Sequence, residues 1–281
     1  MLKQRVVTAL VLLLILLPAL FYHSPTPFCA VTLALIAAGA WEWAKLNGYR
    51  QVSSVATGIA CMFACALAWV FDLPGRNLPL LWIVAGGAWV LVGAWVLSSG
   101  VGSWSGHSRA LRLVFGLLAL CLAWLAVAQA RVIGINFLLS ILVMVWVADI
   151  FAYFAGRAFG GRFTRSKLAP SISPGKSWEG VWGGLVGVIA LGFLWQWIDV
   201  KWSISVPSFY SHVGRKGIFL LLMAGVFMAA MSVVGDLFES LVKRSAGVKD
   251  SSGLLPGHGG VLDRVDALLP TLPLAMMLYS V

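Results

Sequence analysis

Long apolar runs broken by short polar segments decide what this chain can fold into. A hydrocarbon core about 30 Å thick takes roughly 20 helical residues to cross, and backbone that faces lipid must satisfy its own hydrogen bonds, which only helices and closed barrels do. Runs of that kind occur near Val6 to Tyr22, Phe28 to Trp43, Val55 to Phe71, Leu78 to Leu97, Leu111 to Ala130, Val132 to Ala155, Trp178 to Ile198, Gly217 to Gly235 and Val265 to Val281. The expectation is therefore an all-α integral membrane protein with about nine transmembrane helices. Only 11% of residues are charged and 60% are apolar, against about 25% charged in a soluble domain. That balance also excludes a disordered chain or a coiled coil.

Charge sidedness orients the bundle. With the N-terminus inside, nine spans leave only Arg76, Arg131, Lys201, Arg215 and Lys216 outside. The other basic residues, from Lys3 and Arg5 through Arg165 to Arg264, fall inside, as the positive-inside rule requires. The reading is a multi-pass protein of a bacterial-type inner (plasma) membrane, N-terminus cytoplasmic, with its most polar stretches facing the cytoplasm. A net charge of +10 suits membrane lipids with anionic head groups and phosphorylated substrates; nucleic acid is not an expected partner. Lys3 and Arg5 precede the first run as in a signal peptide, but Pro18 to Ser24 offers no small-x-small cleavage site, which predicts a retained anchor. Cys29, Cys61, Cys65 and Cys121 sit inside apolar runs without a CxxC pair and read as small hydrophobes. Trp41, Trp43, Trp82, Trp104, Trp178 and Trp202 fall near span ends, where an aromatic belt is expected.

Asp149 to Glu179 and Asp236 to Asp266 hold more than half of the chain's 20 basic and 10 acidic residues. The chemistry is expected there, in residues 131–281, with residues 1–130 as a hydrophobic transmembrane scaffold. In the second stretch Asp236, Glu239, Ser240 and Lys243 stand at i, i+3, i+4 and i+7, one face of a helix at the membrane edge. Ionisable groups at that depth are costly unless paired or metal-bound, and five acids so close together call for a cation. Lys249, Asp250 and the segment Pro256-Gly257-His258-Gly259-Gly260 follow, too Gly-rich for helix and too polar for lipid. Glycines let backbone N–H groups approach an anion, and His258 can donate to a phosphate oxygen, so this loop is read as lining a cavity and holding phosphate. Asp263-Arg264-Val265-Asp266 then sets two carboxylates around a guanidinium, hard oxygen ligands suited to Mg²⁺ beside cations suited to phosphate.

The first stretch closes the sixth span and opens the seventh on the same predicted face. Asp149 and Tyr153 point together at i, i+4, while Ser173, Lys176 and Ser177 precede a helix whose N-terminus would attract phosphate. The Ser-Pro-Gly-Lys order is not a P-loop, since the G-x-x-x-x-G-K-[ST] spacing is missing and no strand precedes it.

These residues bring a family into view. Ser240-Leu-Val-Lys243-Arg244, four residues, Lys249-Asp250, then His258-Gly259-Gly260-Val-Leu-Asp263-Arg264-Val-Asp266 resembles the full signature of the phosphatidate cytidylyltransferases, or CDP-diacylglycerol synthases. Asp149 to Gly156 and Ser171 to Gly180 resemble the same family's other polar blocks, with Ser177 where Thr is more usual. The resemblance covers roughly the C-terminal half. It implies a nucleotidyltransferase of phospholipid biosynthesis that joins CTP to phosphatidic acid, releasing pyrophosphate and forming CDP-diacylglycerol, with Mg²⁺ and room for a second cation such as K⁺. It also implies metal binding by Asp236 and Asp263, with Asp149, Asp250 and Asp266 as further candidates. Phosphates would fall to Lys243, Arg244, Lys249 and Arg264, with Lys176, Ser173 and His258 as secondary candidates; Ser177, Gly259 and Gly260 stand in the same blocks. A homodimer is compatible with the sequence.

Two other classes fit less well. A transporter would spread its charges through the membrane depth, whereas these gather at one predicted face. A CTP-dependent lipid kinase, or a cytidylyltransferase for another lipid phosphate, would differ in its lipid pocket, which the sequence does not resolve.

Overall fold

The computed structural model describes residues 2–164 and 166–281; Arg165, expected among the inner-face cations, lies outside them. In chain order the elements are α1 (Leu2–Phe21), α2 (Thr26–Leu46), α3 (Gln51–Val70), α4 (Pro79–Ser99), α5 (Val101–Gly106), α6 (Arg109–Ile133) and α7 (Ile135–Phe159), then β1 (Lys167–Ala169), β2 (Ser173–Ser177), α8 (Trp178–Lys201), α9 (Phe209–Gly214), α10 (Ile218–Ser245), α11 (Leu262–Val265) and α12 (Leu268–Ser280). Local chemistry fixes several starts. Pro79 opens α4, where its missing N–H costs nothing. Ser108, Ser177 and Ser208 cap α6, α8 and α9 by accepting a backbone N–H.

Among the described residues, eight helices, α1 to α4, α6 to α8 and α10, are long and apolar enough to cross a membrane, so the chain is a multi-pass helical membrane protein. The expected ninth span is α12, with 13 residues, about 20 Å at 1.5 Å per residue and short of a full crossing. It starts just after Asp266 and ends where Tyr279 packs on Phe137, near the start of α7, and on His212 of α9. A helix that begins on a recessed polar floor needs fewer residues to reach the far end of the bundle.

Among the described residues, strand structure, absent from the sequence reading, is confined to one hairpin and an isolated bridge between Leu255 and Gly259. Lys167 pairs with Ser177 and Ala169 with Ser173, antiparallel and irregular between them. Strands of three and five residues, one of them Ser-Pro-Gly-Lys-Ser, carry no alternating apolar pattern that could announce them.

Helices from before and after residue 130 share one core. α2 is half-buried, with 50% of its apolar window inside the bundle against 11% for α1, so the N-terminal half is more than a lipid-facing rim. Trp43, Trp89, Trp104 and Phe115 surround Phe238 of α10 at centroid distances of 5.4–6.2 Å. Trp43, Trp82 and Trp104, expected in an interfacial belt, are buried instead. Their indole N–H groups donate to Arg112 O, Gln129 Oε1 and Asn47 Oδ1, which lets a tryptophan enter a core without an orphaned donor. Cys61, Cys65 and Cys121 meet in this interior, their sulfurs within 4.8 Å of one another. α8 lies against α7 through Gly180, Gly183, Gly184 and Gly187. A Cβ on Gly183 would stand 2.2 Å from Ala155 Cβ, so the seam needs glycine for close approach.

Candidate active site

Three long helices and one loop bring the polar stretches together. Asp149 sits ten residues before the end of α7 at Phe159, about 15 Å along its axis. Asp236 sits nine residues before the end of α10 at Ser245, about 14 Å along it. The two carboxylates thus share a recessed level. Asp149, Asp236, Ser240, Lys243, Arg244, Lys249, Asp250, Asp263, Arg264 and Asp266 line one cavity of about 320 Å³. Periodicity had put Asp236, Ser240 and Lys243 on one face. Ser240 Oγ lies 3.4 Å from Asp236 Oδ1, and Lys243 pairs with buried Glu239 one turn back.

Asp263 is the most heavily held carboxylate of the cavity. Oδ1 accepts from Lys243 Nζ at 2.6 Å; Oδ2 accepts from Gly260 N at 2.7 Å, Ser251 N at 2.9 Å and Ser251 Oγ at 2.9 Å. Burial alone would raise its pKa, but the hydrogen bonds from Lys243, Gly260 and Ser251 outweigh that and hold it at about 2. Asp266 behaves oppositely. Burial, and after it the Asp236 charge, push its carboxyl well above the usual carboxylate range.

The Gly-rich loop does something other than the sequence reading expects. His258, Gly259 and Gly260 are not among the residues lining the cavity. Two of its N–H groups are occupied within the protein, His258 donating to Leu255 O and Gly260 to Asp263, and just after it Val261 and Leu262 donate to Glu42. His258 contributes its carbonyl, which accepts from Arg264 Nε at 2.9 Å and Nη2 at 2.5 Å. Gly259 has φ +81°, a conformation suited to glycine, and closes the loop through its carbonyl on Leu255 N at 2.8 Å. The loop thus presents Asp263.

Lys176 of β2 reaches across to pair with Asp236, so the hairpin forms one wall. Arg244 ties that wall to α10 through Ile172 O at 3.4 Å. Ser177 caps α8 by accepting from Gly180 N at 3.2 Å, and Ser173 sits at the start of β2 outside the cavity linings. A second cavity, about 420 Å³, runs between α7, α8 and α10 and shares Asp149 and Asp236 with the first as lining residues. Its walls include Ala148, Ala152, Val181, Gly184, Leu185, Ala229 and Val233, with Tyr153, Arg157, Lys176 and Ser177 among its polar members.

Hard oxygen donors make the polar cavity fit for a divalent cation of the Mg²⁺ type. Among the described residues, no three carboxylate oxygens from different Asp or Glu side chains lie within 4.8 Å of one another. Such a cation would thus take few protein ligands and complete its shell with water and substrate phosphates, the habit of Mg²⁺.

A family model described as the cytidylyltransferase family matches residues 3–281. The chain belongs to that family. It is 41% identical over its whole length to the phosphatidate cytidylyltransferase of Pseudomonas aeruginosa, of which 98% is covered. It is 37% identical to that of Haemophilus influenzae, with 99% of each chain covered. A Thermotoga maritima protein of the same name is 43% identical over 144 residues, about half of either chain. The family match begins at residue 3, so the N-terminal helices belong to it as much as the motif-bearing half.

Sequence reasoning missed Glu42 entirely. From α2 it accepts Ser252 Oγ at 2.5 Å, Leu262 N at 2.8 Å, Val261 N at 2.9 Å and Ser251 Oγ at 3.1 Å, and it is fully buried. The signal was present: an acid inside an apolar run is a functional candidate by default.

Proposed function

We propose that this chain is a CTP:phosphatidate cytidylyltransferase of the inner membrane, making CDP-diacylglycerol and pyrophosphate at a site that faces the cytoplasm. The observation that carries the reading is the pair of lining residues, Asp149 and Asp236, that the two cavities share. One carries Lys243, Arg244, Lys249 and Arg264 for a triphosphate beside five carboxylates for a cation; the other is walled largely by apolar residues for an acyl chain. A lipid phosphate at that pair would stand beside the nucleotide while its chains stay in the apolar space.

In the reaction, a phosphate oxygen of phosphatidate attacks the α-phosphorus of CTP. A new P–O bond forms at the α-phosphorus, the bond from the α-phosphorus to the oxygen bridging to the β-phosphorus breaks, and pyrophosphate leaves with that oxygen. The attacking oxygen is already anionic near neutral pH, so positioning and charge neutralisation do the catalytic work. Arg244, Lys249 and Arg264, exposed at the cavity, would hold the triphosphate; Lys176 would serve the lipid phosphate. Asp236 and Asp263 would hold Mg²⁺, with Asp149, Asp250 and Asp266 as further candidates, and bound Mg²⁺ would supply charge neutralisation at the phosphates. Lys243 keeps Asp263 and Glu239 in register, while Ser173, Ser177, His258, Gly259 and Gly260 shape the hairpin and loop behind the site. The excess of basic residues on the side of Lys3, Arg109 and Arg112 supports the cytoplasmic orientation.

The test uses purified protein with CTP, phosphatidate and Mg²⁺, with lipid products identified by mass. CDP-diacylglycerol from the wild type, and none from folded Asp236→Asn or Asp263→Asn, supports both activity and site. A product pair of CDP and a newly phosphorylated lipid would favour a lipid kinase, and full turnover by either variant would remove its carboxylate from the site.

A further inference from the structure

We propose that Glu42 is a positioning residue for the transfer reaction: from the second membrane helix it fixes the orientation of Asp263 without touching substrate. The inference rests on the reading that Asp263 works at the reacting phosphates. Glu42 is fully buried, and among the described residues no Lys, Arg or His lies within ion-pairing distance of it. Its charge is met by neutral donors alone. Each oxygen takes one backbone N–H, Oε1 from Val261 and Oε2 from Leu262; Oε1 also accepts from Ser252 Oγ, and Oε2 shares the single hydroxyl hydrogen of Ser251, at 3.1 Å, with Asp263 Oδ2 at 2.9 Å.

Those four donors come from both ends of the loop that ends in Asp263. Val261 and Leu262 are the two residues before it, and Ser251 also donates to it through N and Oγ. Gly260 lies between the two carboxylates, and a Cβ there would stand 2.0 Å from Ser251 Oγ and 2.4 Å from Glu42 Oε1. The last glycine of the His-Gly-Gly run is thereby explained by Glu42 rather than by a ligand. Trp43, the next residue, is itself fixed. It stacks on Phe238 at 6.2 Å and 11°, and its indole donates to Arg112 O at 2.9 Å. Phe238 lies two residues from Asp236, so α2 sets the separation between the helix that carries Asp236 and the loop that carries Asp263.

The role requires a carboxylate. In glutamine either side-chain end can be the NH₂, and each end faces a backbone N–H, so every orientation sets donor against donor. Serine hydroxyls can rotate away; Val261 N and Leu262 N cannot.

The experiment compares Glu42→Gln, Glu42→Asp, Ser252→Ala and Asp263→Asn in the detergent-purified full chain. Turnover is measured with CTP, phosphatidate and Mg²⁺, and amide hydrogen exchange is followed over residues 250–266 without ligands. Glu42→Gln should lower kcat about 100-fold, the scale of a misplacement of about 1 Å, with KM for CTP and for phosphatidate within about threefold, and should speed exchange in the loop but not in the Asp236 segment of α10. Glu42→Asp should recover part of kcat. Should Glu42→Gln not fold, Ser252→Ala carries the test, with about a fivefold loss of kcat for one lost hydrogen bond and faster exchange at 251–263. The proposal is overturned if folded Glu42→Gln keeps kcat within threefold of wild type, if kcat falls without faster loop exchange, or if Ser252→Ala alters neither. Wild-type turnover by Asp263→Asn would overturn the site reading beneath it instead.

Discussion

Adding one methyl group at Gly260 should separate a loop that merely connects from one that presents a catalytic carboxylate. In Gly260→Ala the new Cβ would lie 2.0 Å from Ser251 Oγ, 2.4 Å from Glu42 Oε1 and 2.7 Å from Glu42 Cδ. Ordinary contact begins near 3.4 Å, so the neighbours or the loop must move by about 1 Å. Neither neighbour is a free end. Ser251 Oγ is engaged with Asp263 and Glu42, and Glu42 is held by four donors. If Glu42 swings away, the N–H groups of Val261 and Leu262 lose their acceptor at about 1–3 kcal/mol each; if the loop shifts, Asp263 shifts with it. Together with overpacking, a destabilisation of about 3–5 kcal/mol is expected, on the order of 10 °C in Tm for a chain of this size. Displacing Asp263 by about 1 Å should cost about 100-fold in kcat. Gly253→Ala is the control, because a Cβ there meets nothing within 4 Å. Thermal melts in detergent and initial rates of CDP-lipid formation read the outcome. A Gly260→Ala protein with wild-type melting and turnover, or equal damage from Gly253→Ala, would refute the reasoning.

Other expectations follow from the same geometry. Lys243→Met strands Glu239 and Asp263 without their shared cation, so turnover should vanish and stability fall by about 3–5 kcal/mol, read by thermal melt and product formation. Val181→Trp fills part of the cavity between α7, α8 and α10; KM for phosphatidate should rise at least about tenfold while KM for CTP stays within about twofold, a contrast that steady-state kinetics resolve. Removing divalent cations with a chelator should abolish turnover and Mg²⁺ should restore it, since the acid-rich cavity needs its charge neutralised. For orientation, single cysteines placed at Arg109 and at Lys216 should react oppositely with a membrane-impermeant maleimide, Lys216→Cys in intact spheroplasts and Arg109→Cys only in inverted vesicles.

What was legible in the sequence was local. The shared face of Asp236, Ser240 and Lys243 follows from helical spacing, which α10 keeps without interruption, and eight spans follow from apolar length alone. Glu42 escaped because its partners Ser251 and Leu262 lie 209 and 220 positions away, a distance no periodicity bridges; only its oddity inside an apolar run gave notice. Trp43 and Trp104 were misplaced for a related reason. A tryptophan near a span end looks interfacial until a partner such as Arg112 O or Asn47 Oδ1 lets it turn inward. The loop from Pro256 to Gly260 could be seen to be non-helical, yet the targets of the Gly260, Val261 and Leu262 N–H groups depended on two carboxylates, one of them from α2. The last helix was overcounted in length because its polar start is sunk into the bundle, a fact of packing rather than of composition.

The most direct test follows the label through the reaction, using CTP marked separately at the α- and γ-phosphorus with purified protein, phosphatidate and Mg²⁺. The α label should appear in lipid and the γ label in pyrophosphate, one for one, with both lost in Asp263→Asn. A γ label that ends in lipid, or an α label that stays in free nucleotide, would contradict the account.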